Sequence, residues 1–447
     1  MRVVIVGTGP AGLTALRIAT EKKCEVWLID QGLHETPDYS PRNLGLREQC
    51  EITGGYGGTT RIWAGQLMPL SPRELLSGEF SSLFSKEEYN REIFQILKWF
   101  GVSRIKYLTL SLIVRITAPY DNPRFSLITK LINLENVFKR EISINSERSL
   151  LRKVRSLEIA DGKFRGLIFQ NGEKFPIFPG DILVLAAGTM GNSRIMLESF
   201  PDLQENEIGR NLSDHPCGYI GSLHPKYKYG LFRKPTSSFF SADKVKYKYE
   251  VLVSDSSGCF EIHPNKSSIS MRKPIAVLNE IGLVRFVGET IVRFVNFAFS
   301  IFPFTPWVVS ESADVWLQFE QSNNPRSCIE IFEGKFIYNW SLNEYDLMNF
   351  SELVNSIDKQ ISSGSKDFKK VSVLNVEDLN IWAQQANHPS GTISNTLVIE
   401  KFGIMKQYNQ ILVAGGAVFP RASWVNPTLT IMATTSLGLK SMLRKLS

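Results

Sequence analysis

Between Val3 and Asp30 the chain carries the pattern that most restricts what it can fold into. Val3-Val4-Ile5-Val6 is a short, wholly apolar run, and Gly7-Thr8-Gly9-Pro10-Ala11-Gly12 follows it directly. A helical stretch comes next, then Glu25-Val26-Trp27-Leu28-Ile29, closed by Asp30. In a strand–turn–helix unit the first glycine permits the tight turn. The second lets backbone approach a pyrophosphate, and the third lets helix and strand pack closely. The helix N-terminus then offers free N–H groups and a positive dipole end to phosphate. Asp30 stands where a carboxylate takes ribose hydroxyls. Strand, glycines, helix, second strand and acid all fall in order, which predicts a dinucleotide site at Gly7, Gly9, Pro10, Ala11, Gly12 and Asp30. The pattern alone does not separate FAD from NAD.

A parallel sheet built on that unit needs further strands, and two later segments supply them. Asp181-Ile182-Leu183-Val184-Leu185-Ala186-Ala187-Gly188 is a continuous apolar run, the form taken by a strand buried on both faces. Ile411-Leu412-Val413-Ala414-Gly415-Gly416 is similar, and Asn426-Pro427 after it reads as an N-cap and first helical residue opening a last helix to about residue 440. With 447 residues the chain can bury a large core in two or three domains. The spacing divides it into a nucleotide-binding part, residues 1–70, 136–215 and 386–447, and a second part, residues 71–135 and 216–385.

Gly54 to Gly65 is glycine-rich and includes Ile62 and Trp63, too apolar for a solvated linker, so it is expected to lie against a flat ligand. Residues 31–56 otherwise read as loop. Residues 87–100 show one apolar helical face, and 105–118 fit a strand, a buried segment or a helix. Strands are expected at Val137-Phe138 with Ile142–Ile144, at Val154–Ile159 and at Phe164–Phe169. Lys226, Lys228, Lys244, Lys246 and Lys248 alternate with Tyr227, Tyr229, Tyr247 and Tyr249, which predicts strands whose lysine face is solvated or meets an anionic partner. Strands also fit 315–320, 328–332 and 336–340, and an amphipathic helix fits 344–361. In Glu280–Phe304, Arg285, Glu289 and Arg293 form one stripe on an otherwise apolar helix, suited to a core, a lid or a bilayer interface.

The five cysteines are scattered and form no CxxC pair, which fits reduced thiols, a cytoplasmic protein and no metal cluster. No signal peptide or spanning helix is expected. A net charge of +7 suits an anionic cofactor, an anionic substrate or a membrane surface, and does not argue for nucleic acid.

At these residues the chain resembles the glucose–methanol–choline flavoprotein oxidoreductases. The resemblance rests on Gly7-x-Gly9-x-x-Gly12 with Asp30, the Gly57–Gly65 loop, Val184–Gly188, Gly209-Arg210-Asn211-Leu212-Ser213-Asp214-His215, His388-Pro389-Ser390-Gly391-Thr392 and Asn426-Pro427-Thr428-Leu429-Thr430. It implies an α/β fold of p-hydroxybenzoate hydroxylase-like architecture, in which a Rossmann-like FAD-binding domain is interleaved with a substrate domain of antiparallel sheet plus helices. It implies FAD contacts at Gly57, Gly58, Thr59, Thr60, Trp63, Ala64, Gly65, Ala187, Gly188, Asp214, Gly416, Ala417, Pro427, Thr428 and Leu429, besides the first motif. It further implies that His388 and Asn426 face the reactive edge of the flavin, with His388 as base near the ordinary histidine pKa and Asn426 on the substrate oxygen. His215 is read as a structural hydrogen-bonding residue.

The glycine-rich loop is most similar to that of the sugar-oxidising, pyranose oxidase-like branch. Some members of that branch attach FAD through a histidine before the tryptophan. Ile62 stands at that position here, so noncovalent FAD is expected. The implied reaction is oxidation of an alcohol group, on a sugar or glycoside hydroxyl, with oxygen, a quinone or another carrier as electron acceptor. A flavin-bound lyase and a non-catalytic membrane-surface flavoprotein, held through 280–304 at the inner face of the membrane, are the alternatives.

Overall fold

The computed structural model describes residues 1–32, 39–41, 55–61, 65–76, 78–118, 120–128, 134–203, 207–225, 230–233, 236–240, 243–254, 256–264, 307–362, 366–394 and 396–446. The 280–304 segment, Ile62-Trp63-Ala64, and the Lys226–Tyr229 stretch lie outside the described residues.

In chain order, β1 (Arg2–Val6), α1 (Pro10–Glu21) and β2 (Glu25–Asp30) form the N-terminal unit. Next come β3 (Gln66–Leu67), α2 (Lys86–Trp99), α3 (Arg104–Thr117), β4 (Pro123–Ile128), α4 (Leu134–Val137) and α5 (Lys139–Ile144). β5 (Ser149–Leu151) precedes a separate three-stranded antiparallel sheet over 154–176, and β6 (Ile182–Leu185) leads into α6 (Gly188–Ser199). β7 (Cys217–Pro225), β8 (Thr236–Phe240), β9 (Asp243–Leu252), β10 (Ser257–Pro264) and β11 (Ala313–Phe319) build the middle of the molecule. The chain closes with α7 (Glu344–Ile361), β12 (Lys366–Lys370), α8 (Val376–Trp382), β13 (Ile411–Val413) and α9 (Thr428–Leu446).

Two sheets organise these elements. The first is parallel, in the order β13-β6-β1-β2-β5, with Val3 opposite both Ile182 and Val26, and Leu183 opposite Ile411. Every residue of β6 and β13 is buried, as continuous apolar runs require when helices cover both faces. The second sheet is antiparallel, β12-β7-β11-β10-β9-β4-β3, with β8 paired to β9. The α/β class and the interleaving of a Rossmann-like parallel sheet with an antiparallel sheet plus helices are therefore as expected.

α2 begins with a capping box, Ser85 with Glu88, and lies against α9. The Tyr89 hydroxyl bonds Thr430 at 2.9 Å, and Lys440 donates to Glu92 at 2.7 Å.

Three readings are corrected. Val137–Ile144 is helical, not a strand. Leu134, Phe138, Glu141 and Asn145 are its buried positions, a 3.6-residue spacing that apolar residues alone do not reveal. Arg17 of α1 holds this segment, donating to Glu141 at 2.9 Å and to the Val137 carbonyl at 2.7 Å. Within the 31–56 stretch, residues Tyr39–Pro41 form a strand, parallel to Phe336–Tyr338. Lys248 of β9 is not on a solvated face: Tyr247 and Tyr249 enter the core, while the Lys248 side chain is only 2% exposed on the opposite face and Lys246 pairs with Glu261 at 2.6 Å. Of the options at 105–118, the fold takes the helix, α3.

Candidate functional site

The β1–α1 turn is as tight as its glycines suggest. Gly7 has φ +93°, and a Cβ there would lie 2.3 Å from the Ala186 carbonyl oxygen. A Cβ on Gly12 would lie 1.9 Å from the Gly7 oxygen. At Gly9 a Cβ would meet nothing within 4 Å, so this glycine borders open space instead of another element. That space is a cavity of about 510 Å³, inside the range of roughly 300–1,000 Å³ typical of small-molecule and cofactor sites. α1, α6 and α9 all begin on its wall, at Pro10, Gly188 and Thr428, so three helix N-termini face it.

Of the candidate residues, Gly7, Gly9, Pro10, Ala11, Asp30, Gly58, Thr59, Thr60, Ala187, Gly188, His388, Gly416, Asn426, Pro427 and Thr428 line this cavity. Gly12, Gly57, Gly65, Asp214, Ala417 and Leu429 lie outside its wall. Gly57 ties the glycine-rich loop to the first motif, its N–H donating to the Thr8 carbonyl at 2.8 Å. Ala417 and Leu429 are packed in the core. Trp63 and Ala64 are outside the described residues.

Asp30 lies on the cavity wall and is held by four donors of the chain. Its Oδ2 accepts from Thr8 N at 2.9 Å and Thr8 Oγ1 at 2.6 Å, and its Oδ1 accepts from Gly32 N at 2.8 Å and Gly55 N at 3.1 Å. A carboxylate has about four lone-pair sites, and these four donors use them. Asp30 therefore braces the turn and the following loops, and a ribose hydroxyl would have to displace one of those donors.

On the wall of the same cavity two histidines form a directed chain. His215 Nδ1 lies 2.7 Å from the Ser423 carbonyl oxygen, and His215 Nε2 lies 2.7 Å from His388 Nδ1. A carbonyl can only accept, so His215 Nδ1 carries the proton. Burial, reinforced by the neighbouring His388, pushes the His215 pKa well below 6.5, so the ring is neutral and its Nε2 must accept. His388 Nδ1 is then the donor. Burial, with the charge of Lys248 added, brings the His388 pKa down to about 4. His388 is thus neutral at pH 7, and its Nε2 carries the lone pair.

Asp214 holds this arrangement from behind. Its Oδ1 accepts from His215 N at 2.7 Å and its Oδ2 from His388 N at 3.0 Å, while burial raises its pKa to about 7. Asp214, His215 and His388 are close enough to suggest a metal site. However, two imidazole nitrogens on one tetrahedral zinc would stand about 3.3 Å apart, and 2.7 Å is a hydrogen bond.

Asn426 sits just before α9. The Pro427 carbonyl accepts the first helical bond, from Ile431 N, so Pro427 is the cap and Asn426 precedes it, one residue off the expected register. Its Oδ1 faces Lys248 Nζ at 3.4 Å. An ammonium only donates, which fixes the amide: oxygen toward Lys248, NH₂ away from it.

The sequence reading missed Lys246, Lys248, Glu261 and Gln318 as cavity residues. The Lys/Tyr alternation is the available signal, but it fits a solvated face or an anionic partner equally and does not point to a cavity. Gln66 Oε1 and Asn387 Oδ1, also on the cavity wall, are buried acceptors with no hydrogen-bond partner among the described residues.

No family model matches the sequence, and no curated protein matches it. In structure the chain is similar to the crystal structure of pyridoxine 4-oxidase from Mesorbium loti, with a TM-score of 0.58 over 98% of each chain at 12% identity. At that identity the likeness establishes the fold.

Proposed function

We propose that the protein is an FAD-dependent oxidoreductase that oxidises an alcohol group, with a sugar or glycoside hydroxyl as the substrate and His388 as the base. The observation carrying this reading is the hydrogen-bond chain Ser423–His215–His388, which leaves a basic nitrogen on the wall of the cavity that Gly9 and three helix N-termini also face. The residues fit a dinucleotide flavin. Gly9 leaves the space a phosphate needs, and Gln66 and Asn387 offer ring or ribose donors acceptors that have no hydrogen-bond partner among the described residues. The neighbour's name, pyridoxine 4-oxidase, is that of an oxidase, which agrees with this class.

Bound FAD would supply the hydride acceptor. The chain's own part is proton handling and orientation. His388 Nε2 takes the substrate hydroxyl proton, while its Nδ1–H stays fixed by His215. The Asn426 NH₂ donates to the substrate oxygen as negative charge develops there. Gly7, Gly9, Pro10, Ala11, Gly58, Thr59, Thr60, Ala187, Gly188, Gly416, Pro427 and Thr428 hold the cofactor, which is bound noncovalently. Anaerobic mixing with a panel of sugars and alcohols tests the reading: flavin absorbance at the visible maximum should bleach. A flavin that stays oxidised while substrate is cleaved would favour a lyase. Acid precipitation should release all yellow colour to the supernatant, and colour retained in the pellet would refute noncovalent attachment.

A second role, contact with an anionic lipid surface, is favoured by α3. Ile105, Leu108, Leu112 and Ile116 form an exposed apolar stripe there, beside Arg104, Lys106 and Arg115. No helix among the described residues is long and apolar enough to cross a membrane. Replacing Ile105 and Leu112 with Ser should reduce pelleting with phosphatidylserine vesicles. If the wild type never pellets, this role is excluded.

A further inference from the structure

We propose that Lys246 and Lys248 of β9, with Glu261 of β10, form a subsite for a substrate carboxylate, so that the sugar hydroxyl oxidised is carried by a hydroxy acid of the sugar-acid kind. The inference rests on the alcohol-oxidation reading and names its substrate class. The cluster lies on the cavity wall beside the proposed chemistry, since Lys248 Nζ is 3.4 Å from Asn426 Oδ1.

Lys248 meets each of its acceptors only at long range. The side chain is 2% exposed, yet its nearest acceptors are Gln318 Oε1 at 3.1 Å, Asn426 Oδ1 at 3.4 Å and Glu261 Oε1 at 3.5 Å. Charge-assisted N–H···O bonds normally run about 2.7–2.9 Å. Glu261 gives its short contacts elsewhere, to Lys246 at 2.6 Å and His263 at 3.0 Å through Oε2. Glu261 is the only carboxylate the structure gives this buried cation among the described residues, at 3.5 Å, so a closer anion would stabilise it further.

Charge arithmetic selects the anion. The ionisable groups lining this part of the cavity are Lys246 and Lys248 on β9, Glu261 on β10, His215 and Cys217 at β7, and His388. Burial opposes ionisation of Glu261, but His263 and the two lysines outweigh it and bring its pKa to about 2, so it is charged. Burial pushes the Cys217 thiol up to about 12, and both histidines are neutral, so none of these three adds charge. Asp214 behind the histidines, raised to about 7 by burial, is only partly charged, so two lysines against Glu261 leave an excess of positive charge of one or less. A carboxylate balances it, whereas a phosphate dianion would leave an unpaired negative charge in the same place. The closeness of Lys248 to Asn426 puts the carboxylate and the reacting hydroxyl on the same or neighbouring carbons of the substrate.

The test uses the flavin-loaded protein and matched pairs: lactate, mandelate and gluconate against their methyl esters or amides, with glycerol 2-phosphate as the dianion arm. Flavin reduction by the acids should exceed that by the neutral partners about 10- to 100-fold in kcat/KM, the range for a hydrogen bond to a charged group. In Lys248→Met that ratio should fall toward one. Lys246→Met should lower it as well, and replaces the Lys248 variant if that one does not fold. Independently of turnover, calorimetric titration with acetate and propionate should show binding that either variant weakens about tenfold or more, with inorganic phosphate binding less well. The subsite is refuted if acids and esters react equally, if the variants leave the ratio unchanged, or if acetate affinity is the same in all three proteins. If no alcohol of any kind reduces the flavin, the oxidation reading fails, and the acetate titration still decides the subsite.

Discussion

His388 owes its proposed competence to neighbours that the eye reading a sequence does not place. His215 contributes an acceptor, Ser423 a carbonyl that fixes the His215 tautomer, and Asp214 a carboxyl that anchors both backbone N–H groups. The ordinary histidine pKa expected from the motif therefore gives way to one of about 4, with burial as the main cause and Lys248 second. The sign follows directly. The neutral ring is the active base, so the rate of flavin reduction should rise with pH through about 4 and be flat on this account from pH 6 upward. Stopped-flow reduction across pH 3.5–8 measures this, and a limb centred near 6.5 would contradict it. His388→Ala should slow reduction about 100- to 10,000-fold and remove the acid limb while leaving FAD bound. A loss smaller than about threefold would move the base elsewhere, His215 being next to test.

Elements reveal which parts of this fold were legible and why. The β1–α1–β2 unit, β6, β13, α2 and α7 depend on local signals: glycine spacing, continuous apolar runs and one-sided helical faces. They were read correctly because nothing distant alters those signals. α4 and α5 were misread because half of their buried face is polar, Glu141 and Asn145 being buried against Arg17 and Thr20. The partners are more than a hundred residues away in sequence, so no window could include them. β9 shows the other failure, since its period of two was correct while the surroundings of its lysine face depended on where the sheet packed. Polar groups on a cavity wall, such as Lys246 and Lys248 here, are not distinguished by sequence alone from those on a solvent-facing surface. The glycines of the first turn allow a test at this scale. Gly12→Ala puts a Cβ 1.9 Å from the Gly7 oxygen and should prevent normal folding, seen as insoluble protein or a large loss of Tm. Gly9→Ala meets nothing within 4 Å, so the flavin-free protein should keep its Tm while flavin affinity drops at least about tenfold. Equal loss of folding in both variants would show that Gly9 is structural.

Over the whole molecule, the cavity is closed by stretches drawn from the full length of the chain: residues 6–66, 152–195, 215–318 and 386–431 all contribute to its wall. The parallel sheet is likewise assembled from strands that begin at residues 2, 25, 149, 182 and 411, so the last strand and α9 complete what the first motif starts. This arrangement ties cofactor retention to global stability. A ligand that binds only the folded state stabilises it by RT ln(1 + [L]/Kd), about 2.7 kcal/mol at a hundredfold excess over Kd. Residues of both sheets line the wall, so release of the ligand is expected to accompany loss of packing between them. Flavin release, followed by the rise of its fluorescence on heating, should therefore coincide with loss of the far-ultraviolet helix signal, and both midpoints should shift together when FAD is added. Coincident probes are the signature of one cooperative transition. Flavin fluorescence appearing well before the helix signal changes would instead mean that the second sheet opens on its own, with the parallel sheet still folded. Under that outcome the two sheets would be separate cooperative units, and the wall carrying Lys246, Lys248 and Glu261 would be the part that moves.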